Sequence, residues 1–167
     1  QIPFEMTVSY GTGTSMGPLA ALEASSQVET YSDYLADDLP GDMNIRTLDA
    51  WEFEGPTLIS HLESIQGHIE QGITHGEFPI LLGGEHGLLL PALKACVSGG
   101  VLESLNDLTL VQIDAHADLR DELNGERFSH GTVVRRCLDE GLSHAIQIGI
   151  RAYSSDEAHM IESDDRI

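Results

Sequence analysis

Lysine is almost absent from this chain, and the charge balance that results excludes several kinds of partner. Lys94 is the single lysine, and eight basic residues stand against 28 acidic ones, giving a formal net charge of −20 over 167 residues. A surface this acidic argues against binding to nucleic acids or to anionic membranes. It would attract a small cationic substrate, although a solubility requirement or a salt-adapted proteome would explain the same charge.

Long hydrophobic runs and paired cysteines are also lacking. No stretch approaches the roughly 18 apolar residues of a membrane-spanning helix, so we expect no membrane association. Cys96 and Cys137 lie in apolar helical contexts without a paired spacing, which favours reduced thiols in a cytoplasmic protein. The apolar fraction of 41% and the charged fraction of 22% are typical of a globular chain, and its length suits one domain.

The apolar pattern predicts alternating strands and helices. Buried strands are expected at residues 78–82, 108–113 and 145–150, with a shorter one near 45–48. Helices are expected at residues 18–28, 58–73, 88–97 and 133–138, and from Ser154 or Ser155 onward. This alternation is typical of an α/β fold with a parallel sheet and right-handed crossovers.

The most informative stretch is residues 110–118. It begins as an apolar, β-branched run with Gln112 in its middle and ends in Asp114, His116 and Asp118. If the extended conformation continues past the strand, these three side chains share one side. Two carboxylates and an imidazole suit a hard or borderline divalent ion. The alternative is an acidic loop whose charges are solvated.

Other polar residues also follow predicted strands, at the sheet edge where α/β proteins bind ligands. Gly83-Gly84-Glu85-His86 follows the first strand, and Arg151 follows the third. By contrast, three histidines spaced seven residues apart fall on or just after the helix at 58–73, and we interpret them as exposed and not as ligands: His61, His68 and His75.

Three motifs, taken in order, resemble those of the ureohydrolases, the family of arginase and agmatinase. They are Gly83-Gly84-Glu85-His86, Asp114-Ala115-His116-Ala117-Asp118 and Ser129-His130-Gly131-Thr132. The loop Ser9-Tyr10-Gly11-Thr12-Gly13-Thr14 with Gly17-Pro18, and the run Asp118-Leu119-Arg120-Asp121-Glu122, resemble the agmatinase branch. The resemblance covers essentially the whole chain. It implies one three-layer α-β-α domain with a mainly parallel sheet, of which residues 1–167 are an incomplete part.

The resemblance also implies two manganese ions in each complete active site, bridged by a hydroxide. His86, Asp114 and Asp118 match the family's ligands to one ion. His116 matches a ligand to the other ion, with Asp114 shared. His130 matches the histidine that carries a proton near the substrate. Without the family, His130 would be interpreted as a histidine at a helix entry that bonds to backbone.

The implied reaction is hydrolysis of a small cationic guanidino compound, most simply agmatine to putrescine and urea. Guanidinobutyrate and arginine are alternative substrates. Two dications lower the pKa of a bridging water towards about 7, which provides a nucleophile strong enough for a resonance-stabilised guanidinium carbon. A histidine that titrates near neutrality suits protonation of the departing amine. The family also implies a homo-oligomer, either a trimer or a hexamer.

The sequence departs from the family pattern in several places. Glu85 stands where the family usually has aspartate and Gly87 where it usually has serine, so we expect altered hydrogen bonding around the metal and not its loss. Two further aspartate ligands in a Ser-x-Asp-x-Asp pattern, and a later glutamate that contacts the guanidinium, have no counterpart in residues 119–167. Ser163-Asp164-Asp165 has the wrong spacing and is expected to be an exposed acidic turn.

These absences lead us to expect a fragment that is cut at both ends, inactive by itself and able to hold at most one metal weakly. Two other interpretations stay open. One is a non-catalytic metal-binding or regulatory remnant, and the other is an unrelated α/β binding domain with an acidic surface.

Overall fold

A computed structural model describes residues 1–38, 45–73 and 78–167. Over these ranges the chain forms five α-helices and two pairs of short strands. In chain order they are α1 (Gly17–Ser25), β1 (Tyr31–Ser32), β2 (Asp37–Asp38), α2 (Leu58–Gly72), α3 (Leu89–Ser98), β3 (Thr109–Ile113), α4 (Val133–Asp139), β4 (His144–Ile148) and α5 (Ser155–Ser163). None of the described helices has the length and apolar character needed to cross a membrane.

Strands β3 and β4 form a parallel pair. Their register runs from Thr109 opposite His144 to Ile113 opposite Ile148. One isolated bridge between His116 and Ala152 continues the pairing beyond the carboxyl ends. Parallel neighbours require a crossover, and α4 provides it. The predicted α/β class with a parallel sheet is confirmed.

The two faces of this pair are covered unequally. Side chains alternate along each strand, so that Leu110 and Ala145 face a buried cluster formed mainly by α3 and α4. The other face carries four exposed β-branched side chains: Val111, Ile113, Ile146 and Ile148. Parallel sheets normally have both faces covered by helices. Of the three predicted layers, the sheet and one helical layer are present over the described residues.

A second cluster forms where α2 packs on α3. Ile65, Ile69 and Ala95 meet there with Phe4 and Trp51 from the irregular segments. Helix α2 begins where expected because the hydroxyl of Thr57 accepts a hydrogen bond from the Ser60 amide, and Ser60 returns one to the Thr57 carbonyl.

The histidines of α2 are less exposed than predicted. The His61 ring is half-buried, with its centroid 6.0 Å from that of Trp51 and 5.0 Å from that of Phe53. His68 is also half-buried, whereas His75 lies outside the described residues. The prediction that His61 and His68 are exposed is therefore wrong, because irregular residues after position 45 pack over this side of α2.

The prediction of a buried strand at residues 78–82 is also wrong. Phe78 is 88% and Ile80 71% exposed. Only the end of this segment is paired, where the Ile2 amide donates to the Leu82 carbonyl at 2.8 Å. The pairing stops there because the chain turns at once, with the Phe4 amide bonded back to the Ile2 carbonyl. The short strand expected near residues 45–48 does not form either.

The remaining helices agree with the sequence pattern, with small differences at their ends. Pro18 lies in the first turn of α1, as predicted, although that helix ends at Ser25 and not near residue 28. Helix α5 is capped by Ser154, whose hydroxyl accepts from the Glu157 amide. Cys96 and Cys137 are both unpaired, and Cys137 is fully buried.

Candidate metal centre

Three predicted ligands meet at the carboxyl end of β3. His86 Nδ1 lies 2.7 Å from Asp118 Oδ2 and 3.6 Å from Asp114 Oδ2. One nitrogen or oxygen atom from each of the three residues lies within 4.8 Å of those of the other two. Among the described residues, this is the single group of three or more histidine, cysteine, aspartate or glutamate side chains that satisfies this spacing.

The fourth predicted ligand, His116, lies on the other side of Asp114. Its Nδ1 is 3.6 Å from Asp114 Oδ1, and its backbone amide donates to the same oxygen at 2.9 Å. The two oxygens of Asp114 therefore face different histidines, Oδ2 towards His86 and Oδ1 towards His116. The His116 side chain is 67% exposed and does not belong to the three-residue group. Asp114 therefore lies between the two histidines that were predicted as ligands to different ions.

The backbone path that brings Asp118 to the site differs from the extended one expected from the sequence. β3 ends at Ile113, and Asp118 has φ of 53°, in the left-handed region. This conformation is held from two sides. The Asp118 carbonyl accepts from the amides of Val134 and Arg135 in the first turn of α4. The next amide, of Leu119, donates to Glu157 Oε1 at 3.1 Å.

Two glutamines hydrogen-bond in series to the carboxylates: Gln147 contacts Gln112, and Gln112 contacts Asp114 and Asp118. Gln112 Nε2 lies 3.3 Å from Asp114 Oδ2 and 3.5 Å from Asp118 Oδ2, and it donates to the His116 carbonyl at 3.2 Å. Gln147 Nε2, in turn, donates to Gln112 Oε1. Gln112 is 5% exposed. Gln112 is visible in the sequence as a polar residue within an apolar strand, but it was not predicted as a site residue.

His86 reaches the site because the preceding turn packs directly on the N-terminal segment. The Gly84 amide donates to the Ile2 carbonyl and the Glu85 amide to the Phe4 carbonyl, both at 3.0 Å. A Cβ atom on Gly84 would lie 2.1 Å from the Phe4 carbonyl oxygen. Neither Gly83 nor Gly84 has a positive φ. Glycine is needed at position 84 because of this close approach, and not for a left-handed backbone conformation.

The carboxylates alter the acid–base behaviour of His86. Burial disfavours its charged form, but the hydrogen bond to Asp118 and the charges of Asp118 and Asp114 outweigh that effect and raise the pKa of His86. At Asp114, burial opposes ionisation, but hydrogen bonds from the His116 amide and Gln112 and the nearby His86 charge lower the pKa. The two carboxylates therefore favour the charged form of the His86 imidazole.

His130 lies apart from this group, on the turn His130–Thr132 that leads into α4. Its ring contacts two hydroxyl groups, with Nδ1 3.4 Å from Thr7 Oγ1 and Nε2 3.4 Å from Ser9 Oγ. The Glu85 carboxylate, at the position of the expected aspartate, accepts hydrogen bonds from the amide and the hydroxyl of Thr7. Thr7, Ser9 and Glu157 were not predicted as site residues, because their partners lie 38 to 123 positions away in sequence.

The donor set is suited to manganese. Two carboxylates and one imidazole make an oxygen-rich group without thiolate, and this combination suits Mn²⁺ more than softer metals. Metal binding requires a deprotonated imidazole, so a cation would replace the proton held between His86 and Asp118. The acidic turn at Ser163-Asp164-Asp165 lies elsewhere: Asp164 is half-buried and pairs with Arg166 at 2.6 Å.

Several known proteins are similar to this chain over most of its length. A family model described as the arginase family matches residues 1–166. An N(1)-aminopropylagmatine ureohydrolase from Synechocystis is 35% identical over 164 residues, which is 96% of this chain and 52% of that protein. An agmatinase from Bacillus subtilis is 33% identical over 159 residues, 93% of this chain and 52% of that protein.

Solved structures show the same likeness. The agmatine ureohydrolase of Thermoplasma volcanium superposes with a TM-score of 0.76 at 30% sequence identity, covering 98% of this chain and 52% of that one. The chain thus spans about half the length of the curated relatives it matches.

Proposed function

The chain belongs to the arginase family, and from this membership we propose that the protein is a manganese-dependent amidinohydrolase that converts agmatine to putrescine and urea. The observation that carries the proposal is the geometry around Asp114, whose two oxygens face His86 and His116 while Asp118 completes the first group. Relatives named for agmatine or for its aminopropyl derivative support the substrate class.

The residues of this chain would have distinct roles in metal binding and proton transfer. His86, Asp114 and Asp118 would hold one manganese ion, and His116 would contribute to a second, with Asp114 shared. Two divalent ions supply hydroxide at neutral pH by lowering the pKa of bound water to about 7. His130 would donate a proton to the departing amine, because an imidazole can carry and release a proton near pH 7.

The charge of the chain supports a cationic substrate. With a net charge of −20, the surface raises the local concentration of small cations and disfavours anionic ones. Agmatine carries a guanidinium and an amine, whereas guanidinobutyrate carries a carboxylate. We further propose a homo-oligomer, a trimer or a hexamer, and a cytoplasmic location, for which the two unpaired cysteines provide support.

One second candidate has a specific observation in its favour. The relative from Synechocystis, at 35% identity, carries the name N(1)-aminopropylagmatine ureohydrolase. An aminopropyl extension would add a further positive charge at the end of the substrate away from the guanidinium, and the acidic surface would accept it equally well.

Urea release by the protein expressed from its complete reading frame tests the proposal. The panel comprises agmatine, N(1)-aminopropylagmatine, guanidinobutyrate and arginine, each after metal removal and after addition of Mn²⁺. We expect the highest kcat/KM for agmatine, no activity after chelation and recovery with Mn²⁺. The 167-residue chain, assayed in parallel, is expected to release no urea.

Other results would change the assignment. Equal or faster turnover of guanidinobutyrate would overturn the agmatine proposal, and faster turnover of N(1)-aminopropylagmatine would select the second candidate. No urea from any compound with manganese bound would favour a non-catalytic metal-binding role.

A further inference from the structure

We propose that Glu85 and Thr7 fix the ring tautomer of His130, so that Nδ1 carries the ring hydrogen and Nε2 is the atom that transfers the proton. Thr7 and Glu85 are positioning residues in this account, since both act through His130. The catalytic part rests on the proposed function, but the tautomer follows from the hydrogen bonds of the chain itself.

The Glu85 carboxylate and Thr7 are joined by hydrogen bonds. The Glu85 side chain is buried, with the residue only 5% exposed. Its Oε2 accepts from the Thr7 amide at 2.9 Å, and its Oε1 accepts from Thr7 Oγ1 at 2.9 Å. A carboxylate has no hydrogen to donate. The single hydroxyl hydrogen of Thr7 must therefore point to Glu85.

Towards His130, Thr7 can act only as a hydrogen-bond acceptor. With its hydrogen committed, Thr7 Oγ1 can only accept from other groups. It accepts from the His130 backbone amide at 3.2 Å, and it also lies 3.4 Å from the ring atom Nδ1. A favourable contact between Thr7 Oγ1 and Nδ1 then requires a hydrogen on Nδ1. The other neutral tautomer would place two lone pairs opposite each other.

The hydrogen on Nδ1 determines whether Nε2 of neutral His130 carries a hydrogen. In the Nδ1–H tautomer, Nε2 has a free lone pair and is the basic atom of the ring. Its neighbour is Ser9 Oγ at 3.4 Å, on an exposed residue. A serine hydroxyl rotates and can donate to Nε2 or accept from it. Ser9 thus tolerates both charge states of the ring, whereas Thr7 selects one tautomer.

A His130 ring with hydrogen on Nδ1 and a basic Nε2 suits the proposed reaction. Protonated His130 would give the hydrogen on Nε2 to the nitrogen of the departing amine. The carbon–nitrogen bond breaks, its electron pair stays on that nitrogen, and the new N–H bond forms from the transferred proton. The ring is left neutral with its hydrogen on Nδ1, which is the tautomer that Thr7 stabilises. The ring therefore does not have to rotate or change tautomer between turnovers.

Nitrogen NMR of the histidine rings tests the tautomer directly. The 167-residue chain, labelled with ¹⁵N-histidine and without added metal, is observed above neutral pH by long-range ¹H–¹⁵N correlation. The chain contains internal references, since His61 and His159 each place Nδ1 2.8 Å from a backbone carbonyl and must carry hydrogen there. We expect His130 to show the same pattern, with a protonated Nδ1 and an unprotonated Nε2.

Substitutions identify the cause. Thr7→Val removes the hydroxyl at nearly constant size and should shift the His130 signals towards a mixture or the Nε2–H form. Thr7→Ser keeps the hydroxyl and should restore the Nδ1–H form, while Ser9→Ala should leave it in place. Unchanged signals of His61 and His159 and an unchanged amide spectrum report an intact fold.

Two results would overturn the inference. One is a wild-type chain in which His130 carries its hydrogen on Nε2, a result that requires no variant to fold. The other is a folded Thr7→Val variant that keeps the Nδ1–H form. In either case, Glu85 and Thr7 would have only a structural role.

Kinetics on the full reading frame separate this inference from the proposed function. Thr7→Val should lower kcat by about tenfold or more, within the roughly 10²–10⁴-fold contribution of general acid–base catalysis, with KM unchanged and with recovery in Thr7→Ser. A confirmed tautomer in a protein that releases no urea would remove the proposed function and leave the inference standing. Active protein with the opposite tautomer would do the reverse.

Discussion

The side-chain amide of Gln147 donates a hydrogen bond of 2.5 Å to the side-chain oxygen of Gln112. This contact sets the orientation of the Gln112 amide, because its oxygen is occupied and its nitrogen is turned to Asp114 and Asp118. Gln112→Leu removes that donor at similar size. We expect Mn²⁺ affinity to fall by about 10–100-fold, as for other residues that orient metal ligands. Titration followed by the EPR signal of free Mn²⁺ measures it.

Gln71→Leu is the matched control for this prediction. Gln71 is exposed on α2, the helix that packs into the second cluster and not against the metal-ligand group. The Gln71→Leu variant should have the same Mn²⁺ affinity as the unmodified chain. An equal loss in the two variants would point to a general effect of the substitution, and no loss in Gln112→Leu would remove the proposed support.

The close approach at Gly84 gives a prediction for stability. In Gly84→Ala, the new Cβ would meet the Phe4 carbonyl oxygen at 2.1 Å and its carbon at 3.0 Å. These are backbone atoms, so the N-terminal segment would have to move away. We expect a loss of about 1–3 kcal/mol or more in the free energy of unfolding, as for an overpacked core. Urea denaturation followed by circular dichroism measures this quantity.

Gly67→Ala should have the opposite sign. Gly67 lies inside α2, and no atom lies within 4 Å of the added Cβ. Alanine should stabilise the helix there by up to about 1 kcal/mol, since glycine is the weaker helix former. A Gly84→Ala variant as stable as the unmodified chain would show that the Gly84–Phe4 contact is looser than described.

Asp121 predicts a pH dependence away from the metal site. The hydrogen bond from Arg136 Nη2 at 2.9 Å, with further help from the Arg127 and Arg135 charges, lowers the pKa of Asp121 below 3.8. The Arg136 side chain is only 4% exposed, so it depends on its partners Asp121 and Asp139. Removing one partner of a buried charge is destabilising. We expect Asp121→Asn to unfold at a lower temperature at pH 7.

The sign of the effect follows from the direction of the shift. A carboxyl group whose pKa is lowered by folding stabilises the protein at pH values above its pKa in the unfolded chain, which is 3.8 for Asp121. That stabilisation disappears as the pH falls through the folded pKa. The difference in Tm between the unmodified chain and Asp121→Asn should therefore be constant near neutrality and close below about pH 3.8. A difference that persists unchanged at pH 2.5 would contradict this origin.

The sequence predicted those parts of the fold that depend on local pattern. The repeat of apolar residues in α2 and the apolar runs of β3 and β4 gave elements close to the observed ones. His86 and Asp114 lie near each other, as expected from the rule that parallel strands share a carboxyl edge, although the strand predicted to precede His86 does not form. The family resemblance added His130 and the division of ligands around Asp114.

Features that depend on packing between distant segments were not predictable in the same way. The segment at residues 78–82 is apolar enough for a strand, but pairing requires a neighbour, and the chain around Ile2 turns away after one bridge. Asp118 adopts a left-handed backbone because α4 and Glu157 hold it, and neither contact is visible in the local sequence. A buried polar residue within an apolar strand, such as Gln112, is the one signal that could have identified the supporting pair.

Direct binding of Mn²⁺ to the 167-residue chain tests the central claim, that the group around Asp114 holds a divalent metal. The comparison is between the unmodified chain, Asp114→Ala, and Asp33→Ala, which removes an exposed carboxylate elsewhere. We predict saturable binding by the unmodified chain and by Asp33→Ala, and a loss of about 100-fold or more in Asp114→Ala, at least that of a supporting residue. Unchanged affinity in Asp114→Ala would contradict the account and favour an acidic α/β domain without a metal site.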